Sequence, residues 1–393
     1  MRIFSIFLLI AFFFSFKTMA QNPNPVTSAY TTFGFKLFSE ITNQMKGNVV
    51  YSPSSIAWCL SMVLNGAKGQ TRDEIARALE VNGINLDDVN AAYSTNGNVS
   101  DPMVELDIAN SLWGKQGIPF KKTFLDTNKR YYGAEVSSLN FDDPGSVQMI
   151  NTWVKTKTRG KIDKIIDQID AASVLFLINA VYFKGTWTHQ FQADQTKNDT
   201  FTTASGTQKQ VPFMHQQHSF RYYEEPDFQA MSLPYGEGRL SMYIFLPAKN
   251  IGITKFQSTL TGTNWEKWMS GFEKTEGTIA LPKFRAEDEI DLNDTLKAIG
   301  IRSAFQPQMA DFSDMVDSVK GNAFLSSVKH KAFAEVDEHG TEAAAVTMGE
   351  IQMTSVMANP KTFQMIVNRP FVFAIRDDRN GTLLFLGLVN DPS

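Results

Sequence analysis

Glu338-His339-Gly340-Thr341-Glu342-Ala343-Ala344-Ala345-Val346-Thr347 is the stretch on which the reading of this chain turns. It lies between two strand-like segments and continues through Met348-Gly349-Glu350-Ile351-Gln352-Met353-Thr354-Ser355 to Pro360 without a committed periodicity. Taken in steps of two, Thr341, Ala343, Ala345, Thr347, Gly349, Ile351 and Met353 form one set; Glu342, Ala344, Val346, Met348, Glu350 and Gln352 form the other. Side chains of an extended chain alternate between faces, so one face is small or apolar and the other takes all the charge. That is the pattern of a strand with one buried face, written into a segment long enough to be an exposed loop. Alanine is a poor strand former and Glu-Ala-Ala-Ala favours helix. By itself the segment therefore reads equally as a surface loop with an alanine-rich hinge, or as a short helix. The surrounding sequence decides.

The chain has 393 residues, 43% hydrophobic and 12% aromatic, ample for a large core in one big domain or two ordinary ones. A net charge of −4 and a pI near 5.8 argue against nucleic acid or an anionic membrane as the main partner. Lys121-Lys122 and Lys129-Arg130 read as a solvated face. At the N-terminus Arg2 supplies a positive charge, Ile3 to Phe14 is apolar but for Ser5, and Thr18-Met19-Ala20 resembles a cleavage site. Residues 1–20 are thus expected to be a signal peptide, with the mature chain starting near Gln21 and working outside the cell, or exported to the periplasm or beyond in a bacterium. The apolar run is too short for a membrane span. Cys59, the single cysteine, excludes an intrachain disulfide and lies in the apolar run Ile56 to Leu64, where a buried inert thiol is expected. Asn-x-Ser/Thr triplets begin at Asn98, Asn198, Asn293 and Asn380, with Asn98 and Asn198 in the more loop-like contexts.

Helical patterns dominate the first half: Phe33 to Gln44, Pro53 to Asn65, Thr71 to Leu79, Lys121 to Tyr132 and Val147 to Thr158. Strand patterns dominate the second. Val174 to Phe183 is nearly continuously apolar, which suits a strand covered on both faces. Ala230 to Pro234, Leu240 to Leu246, Gly277 to Phe284, Ala323 to Val336, Phe363 to Val367, Phe371 to Arg376 and Leu383 to Val389 also read as strands. Helices first and strands later indicate an α+β fold.

Catalytic motifs are mostly absent. Ser326-Ser327-Val328-Lys329 matches an S-x-x-K motif, but in a strand its serine and lysine face opposite sides, and no K-T-G follows. His215 and His218 lack a third metal ligand in the sequence around them. No nucleophile–base pair can be assembled, so an enzyme is not expected, and neither is a cofactor or a metal.

Several segments in order carry a family resemblance. Asn48-Val49-Val50-Tyr51-Ser52-Pro53-Ser54-Ser55-Ile56 is followed by Gly66-Ala67 and Gly69-x-Thr71; then come Asn179-Ala180-Val181-Tyr182-Phe183-Lys184-Gly185-Thr186-Trp187 and Leu281-Pro282-Lys283-Phe284. Asn368-Arg369-Pro370-Phe371-Val372-Phe373 and the ending Leu384-Phe385-Leu386-Gly387 complete the set. Across Phe33 to Pro392 the chain resembles the serpins. The resemblance implies a serpin domain over residues 21–393, with three β-sheets, eight or nine helices and an exposed reactive-centre loop within residues 338–366.

It also implies a secreted, monomeric suicide-substrate inhibitor of serine proteases, and of cysteine proteases as a second class, with no nucleic-acid or membrane partner. The target attacks the loop, forms an acyl-enzyme, and is dragged and distorted as the cut loop enters the large sheet. The hinge is then Glu338, Gly340, Thr341, Glu342, Ala343, Ala344, Ala345 and Thr347. The reactive bond falls at Thr354–Ser355, with Met353–Thr354 and Met357–Ala358 as alternatives. Ser52, Ser55, Asn179 and His330 match a polar cluster that controls sheet opening, and Trp187, Lys283 and Glu338 match the breach where the loop enters. No Arg or Lys lies between Thr341 and Pro360, so the expected target is elastase-, subtilisin- or chymotrypsin-like. The alternative is a non-inhibitory serpin: a carrier, chaperone or storage protein.

Overall fold

The computed structural model describes residues 24–97, 99–170, 172–317, 323–341 and 362–393. The expected signal peptide lies outside them. So do Asn98, the hinge positions Glu342, Ala343, Ala344, Ala345 and Thr347, and the reactive-bond candidates Met353, Thr354, Ser355, Met357 and Ala358.

The chain opens with α1 (Pro25–Gln44), β1 (Val49–Tyr51), α2 (Pro53–Leu64), α3 (Gly69–Ala78) and α4 (Leu86–Asn96). It continues through β2 (Val104–Lys115), α5 (Lys122–Tyr132), β3 (Glu135–Leu139), α6 (Gly145–Lys157) and β4 (Leu175–Thr186). Next come β5 (Lys197–Thr202), β6 (Gln208–Glu225), β7 (Phe228–Tyr235) and β8 (Leu240–Pro247). Helices α7 (Gly252–Gln257) and α8 (Gly262–Gly271) precede β9 (Glu273–Pro282), β10 (Phe284–Asp291) and α9 (Asn293–Ala298). The last elements are β11 (Leu325–Val336), β12 (Gly340–Thr341), β13 (Phe363–Ile366), β14 (Phe371–Asp377) and β15 (Leu383–Val389).

The α+β fold has nine α-helices among the described residues. A six-stranded sheet runs β10-β11-β12-β4-β2-β3, and a nine-stranded sheet runs β1-β15-β14-β8-β7-β6-β9-β13, with β5 also on β6. The expected second and third sheets are the two portions of this nine-stranded one. They are joined because β6, at 18 residues, is long enough to pair with β7 at Arg221–Glu225 and with β5 at its other end.

Segregation of helices and strands is looser than the sequence pattern suggests. Strands β2 and β3 fall in the first half, and α7 to α9 in the second. Helix α1 starts at Pro25 rather than Phe33: Asn24 accepts from Val26 N–H at 2.9 Å, and Pro25 takes a first-turn position where its missing N–H costs nothing. The segment Gly277 to Phe284 is not one strand. It breaks at Lys283, with β9 on one side in the nine-stranded sheet and β10 on the other in the six-stranded one.

Two elements position the site. Helix α2 is buried along all 12 residues, which fits a helix apolar on every side. Ser52 caps it, accepting from Ser55 N–H at 3.3 Å, and Pro53 follows. Strand β4 is covered on both faces, as its apolar run requires. Leu175, Leu177, Val181 and Phe183 join the main core, whereas Phe176, Ile178 and Ala180 pack in a second cluster with Ile150 and Val154 of α6 and Ile162, Ile165 and Ile166 beyond it. Burial of each such side chain is worth about 1.5–3 kcal/mol.

The glycosylation triplets fare differently. Asn198 lies in β5 rather than in a loop. Asn293 spends its side-chain amide on Ser326 O at 2.8 Å and on Val328 N–H at 2.9 Å.

Candidate functional site

Strands β4 and β11 run parallel, side by side, from Leu175 beside Leu325 to Tyr182 beside Phe333. Beyond that point they part, and β12 lies between them, antiparallel to both. Thr341 sits opposite Val336 of β11 and Gly185 of β4, and Gly340 opposite Thr186. The six-stranded sheet is thus already open at one end and closed along the rest.

A tight turn delivers β12 into that opening. Asp337 N–H donates to Gly340 O at 2.9 Å, and Asp337 Oδ1 accepts from His339 N–H at 2.8 Å. Gly340 has φ +147°, and a Cβ there would lie 2.0 Å from Gly185 O, so no other residue fits. Thr341 is fully buried, its hydroxyl 2.8 Å from Tyr235 Oη.

Three residues brace the turn. Trp187, 1% exposed, donates from Nε1 to Asp337 O at 3.0 Å, and its main-chain N–H donates to His339 O at 2.8 Å. Its ring stacks on Tyr235 at 4.3 Å between centroids. Lys283, freed by the break between β9 and β10, donates to Glu338 Oε2 at 2.7 Å. Thr196 Oγ1 donates to Glu338 Oε1 at 2.7 Å. Burial pushes the Glu338 carboxyl up, but the hydrogen bonds from Lys283 and Thr196 outweigh it and hold it below the usual carboxylate range.

Further down the closed part, a polar row crosses the sheet. His330 of β11, Asn179 of β4 and Asn110 of β2 occupy paired positions on neighbouring strands. Ser52 N–H donates to His330 Nε2 at 3.0 Å, so the ring proton sits on Nδ1 and goes to Asn179 Oδ1, 2.5 Å away. Asn179 Nδ2 donates to Ser55 Oγ at 2.5 Å and to Asn110 Oδ1 at 2.6 Å. Burial drives the His330 imidazole down to about 3. The neutral ring therefore ties the two parallel strands to each other and to the start of α2.

The structure brings Ser52, Ser55, Asn179 and His330 together in one cluster, and Trp187, Lys283, Glu338, Gly340 and Thr341 in another. Asn110, Thr196 and Tyr235 belong with them and were not singled out from sequence. Asn110 carried a usable signal, a lone amide amid the apolar residues of Ile108 to Trp113, had that segment been read as a strand. Thr196 had none.

Other candidates dissolve. Ser326 Oγ accepts from Val174 N–H at 2.8 Å, and Lys329 pairs with Asp291 at 3.2 Å. No group of three metal-ligating side chains occurs among the described residues. Cys59 is buried against Ile178 O, and burial pushes its thiol up.

Comparison with known proteins agrees with this architecture. A family model described as serpin (serine protease inhibitor) matches residues 28–392. A leukocyte elastase inhibitor from Xenopus tropicalis is 34% identical over 382 residues, covering 93% of this chain and 99% of its own. Serpin B3 from Homo sapiens is 34% identical over 394 residues, covering 94% and 100%. Among solved structures, that of tengpin, a thermophilic serpin in its native state, superposes with a TM-score of 0.86 at 34% identity, covering 95% of this chain and 96% of that one.

Proposed function

The chain belongs to the serpin family, and from that premise we propose that it is an exported suicide-substrate inhibitor of serine proteases with elastase-, subtilisin- or chymotrypsin-like specificity. Residues 1–20 act as its signal peptide, residues 21–393 are the inhibitor, and cleavage falls at Thr354–Ser355, or at the neighbouring bonds after Met353 or Met357. The attacking serine forms an ester with the carbonyl on the N-terminal side of the cut. Residues following Thr341 then enter between β4 and β11 as a full strand, and the tethered protease is carried with them.

The single observation that carries this reading is the placement of β12. It is antiparallel to both neighbours, so the direction from Gly340 to Thr341 points along the seam between two parallel strands. Continuing both registers residue by residue puts Thr347 opposite His330 on one side and Asn179 on the other. Both registers give the same residue because Val336 and Gly185 keep the offset at which His330 pairs with Asn179. The face inherited from buried Thr341 is Ala343, Ala345, Thr347 and Gly349, all small enough to slide over the core.

Roughly fourteen inserted residues at about 3.3 Å each give a displacement on the order of 45 Å. Each new backbone hydrogen bond contributes about 0.5–1.5 kcal/mol, for a total on the order of ten before side-chain burial. In this scheme the His330–Asn179 row is the latch to be broken and the Lys283–Glu338 pair sets when the upper end parts. A half-exposed ion pair adds little net stability and is better suited to timing.

The test is incubation with elastase, subtilisin or chymotrypsin followed by a denaturing gel. A band at the summed mass of inhibitor and protease supports the proposal. Cleavage by all three with no such band contradicts it.

A further inference from the structure

Ser54 Oγ, Trp58 Nε1 and Thr382 Oγ1 are buried and have no hydrogen-bond partner among the described residues. All three residues line one small cavity between α1, α2 and the turn that joins β14 to β15. Tyr30 and Leu383, both buried, help to close it.

The sequence explains why these groups are left over. Ser54 stands in the first turn of α2, so the residue four places back, Val50, belongs to β1 and offers its hydroxyl no helical carbonyl. Ser61, two turns later, has that outlet and donates from Oγ to Ala57 O at 2.8 Å. Trp58 follows Ser54 by four residues and shares its helix face. Its indole nitrogen can only donate. The main chain of Thr382 is spent: its N–H donates to Asn380 Oδ1 at 3.0 Å, and its carbonyl accepts from Asp377 N–H at 3.0 Å.

Buried polar groups are nearly always paired, with protein or with ordered water. The space open to the centre of a water molecule in this cavity is about 10 Å³, enough for one molecule and too small for an organic ligand. Apolar cavities stay dry, but this wall presents one donor and two hydroxyls.

We propose that the cavity holds a single structural water, which accepts from Trp58 Nε1–H and donates to Ser54 Oγ and Thr382 Oγ1. Three bonds are what a buried water typically makes. The water ties the start of α2 to the turn between β14 and β15. Ser52 and Ser55, on either side of Ser54, hold His330 and Asn179, so the water steadies the segment on which the polar row rests. Its binding does not depend on the inhibitory mechanism, and failure of the protease gel leaves it standing.

A high-resolution crystal structure of the intact protein tests the site first. A density peak is expected within about 3.2 Å of Trp58 Nε1 and of both hydroxyl oxygens. No peak there, or an indole nitrogen bonded to a protein atom instead, overturns the proposal. Oxygen-17 relaxation dispersion, which counts long-lived internal waters, tests it in solution. The count should fall by one in Ser54→Ala/Thr382→Val, with circular dichroism checking the fold; an equal count overturns the site. The melting midpoint of that variant should fall by several degrees, because the indole nitrogen loses its partner. An unchanged midpoint refutes the part given to the water in steadying α2. Should the variant fail to fold, the density in the native protein decides alone.

Discussion

His330 Nδ1 and Asn179 Oδ1 meet at 2.5 Å across the two parallel strands β4 and β11. Replacing His330 by alanine leaves Asn179 Oδ1 and Ser52 N–H buried and unpaired, at about 1–3 kcal/mol each. The melting midpoint of the uncut protein should fall by several degrees, and the variant should pass more readily into forms with an opened sheet. A thermal scan with native gels before and after mild heating reads both; an unchanged midpoint removes the latch from the account.

The same histidine gives stability a defined pH dependence. Its imidazole is held down to about 3 in the native protein against an ordinary 6.5, so between those values the unfolded chain binds more protons. Its contribution is complete above about 6.5 and shrinks as pH falls toward 3. Glu338, held below its ordinary 4.5, adds a contribution that is present above that value and is lost on further acidification. Asp288, raised by burial to about 6, takes up a proton in the native protein over the same range and acts with the opposite sign. The urea midpoint of the native sequence should therefore fall relative to that of His330→Gln between about pH 7 and pH 5. Parallel slopes in the two proteins would exclude His330 as the source.

Lys283→Met strips the cationic partner from Glu338, a side chain only 11% exposed. Glu338 then keeps only the Thr196 hydrogen bond and has no counter-charge, which weakens the turn that holds β12. A synthetic peptide with the sequence of residues 341–353 should then anneal to the uncut protein several-fold faster, measured by a native-gel shift. Equal annealing rates would assign the pair no part in opening the sheet.

Much of this arrangement was legible in the amino-acid order because it rests on local rules. The apolar run around Asn179 announced a doubly covered strand, and Ser52-Pro53 announced a helix start. What escaped was whatever tertiary contact alone decides. Strand β2 carries Asp107 and Asn110 and lacks clean alternation, and its place beside β4 depends on pairing with a segment far along the chain. The division at Lys283 reflects two sheets claiming adjacent residues, which no local pattern encodes. Tyr235 matters because Thr341 and Trp187 both arrive against it from distant parts of the chain.

Thr341→Arg separates folding from inhibition. The native threonine is fully buried against Tyr235, a site with no room or solvent for a guanidinium, so the arginine holds the hinge outside. Catalytic cleavage should then outrun insertion, and the stoichiometry of inhibition should rise at least about tenfold while the circular dichroism spectrum is unchanged. Inhibition at the native stoichiometry would contradict the role given to the hinge.

The most direct measurement is the structure of the protein after a single cut between residues 353 and 358. An added central strand should run on from Thr341, with Thr347 between Asn179 and His330, the Nδ1–Oδ1 contact broken, and the melting midpoint raised by tens of degrees. A cut protein in which Asn179 still faces His330 directly, with β4 and β11 paired as before and the midpoint unmoved, would contradict it.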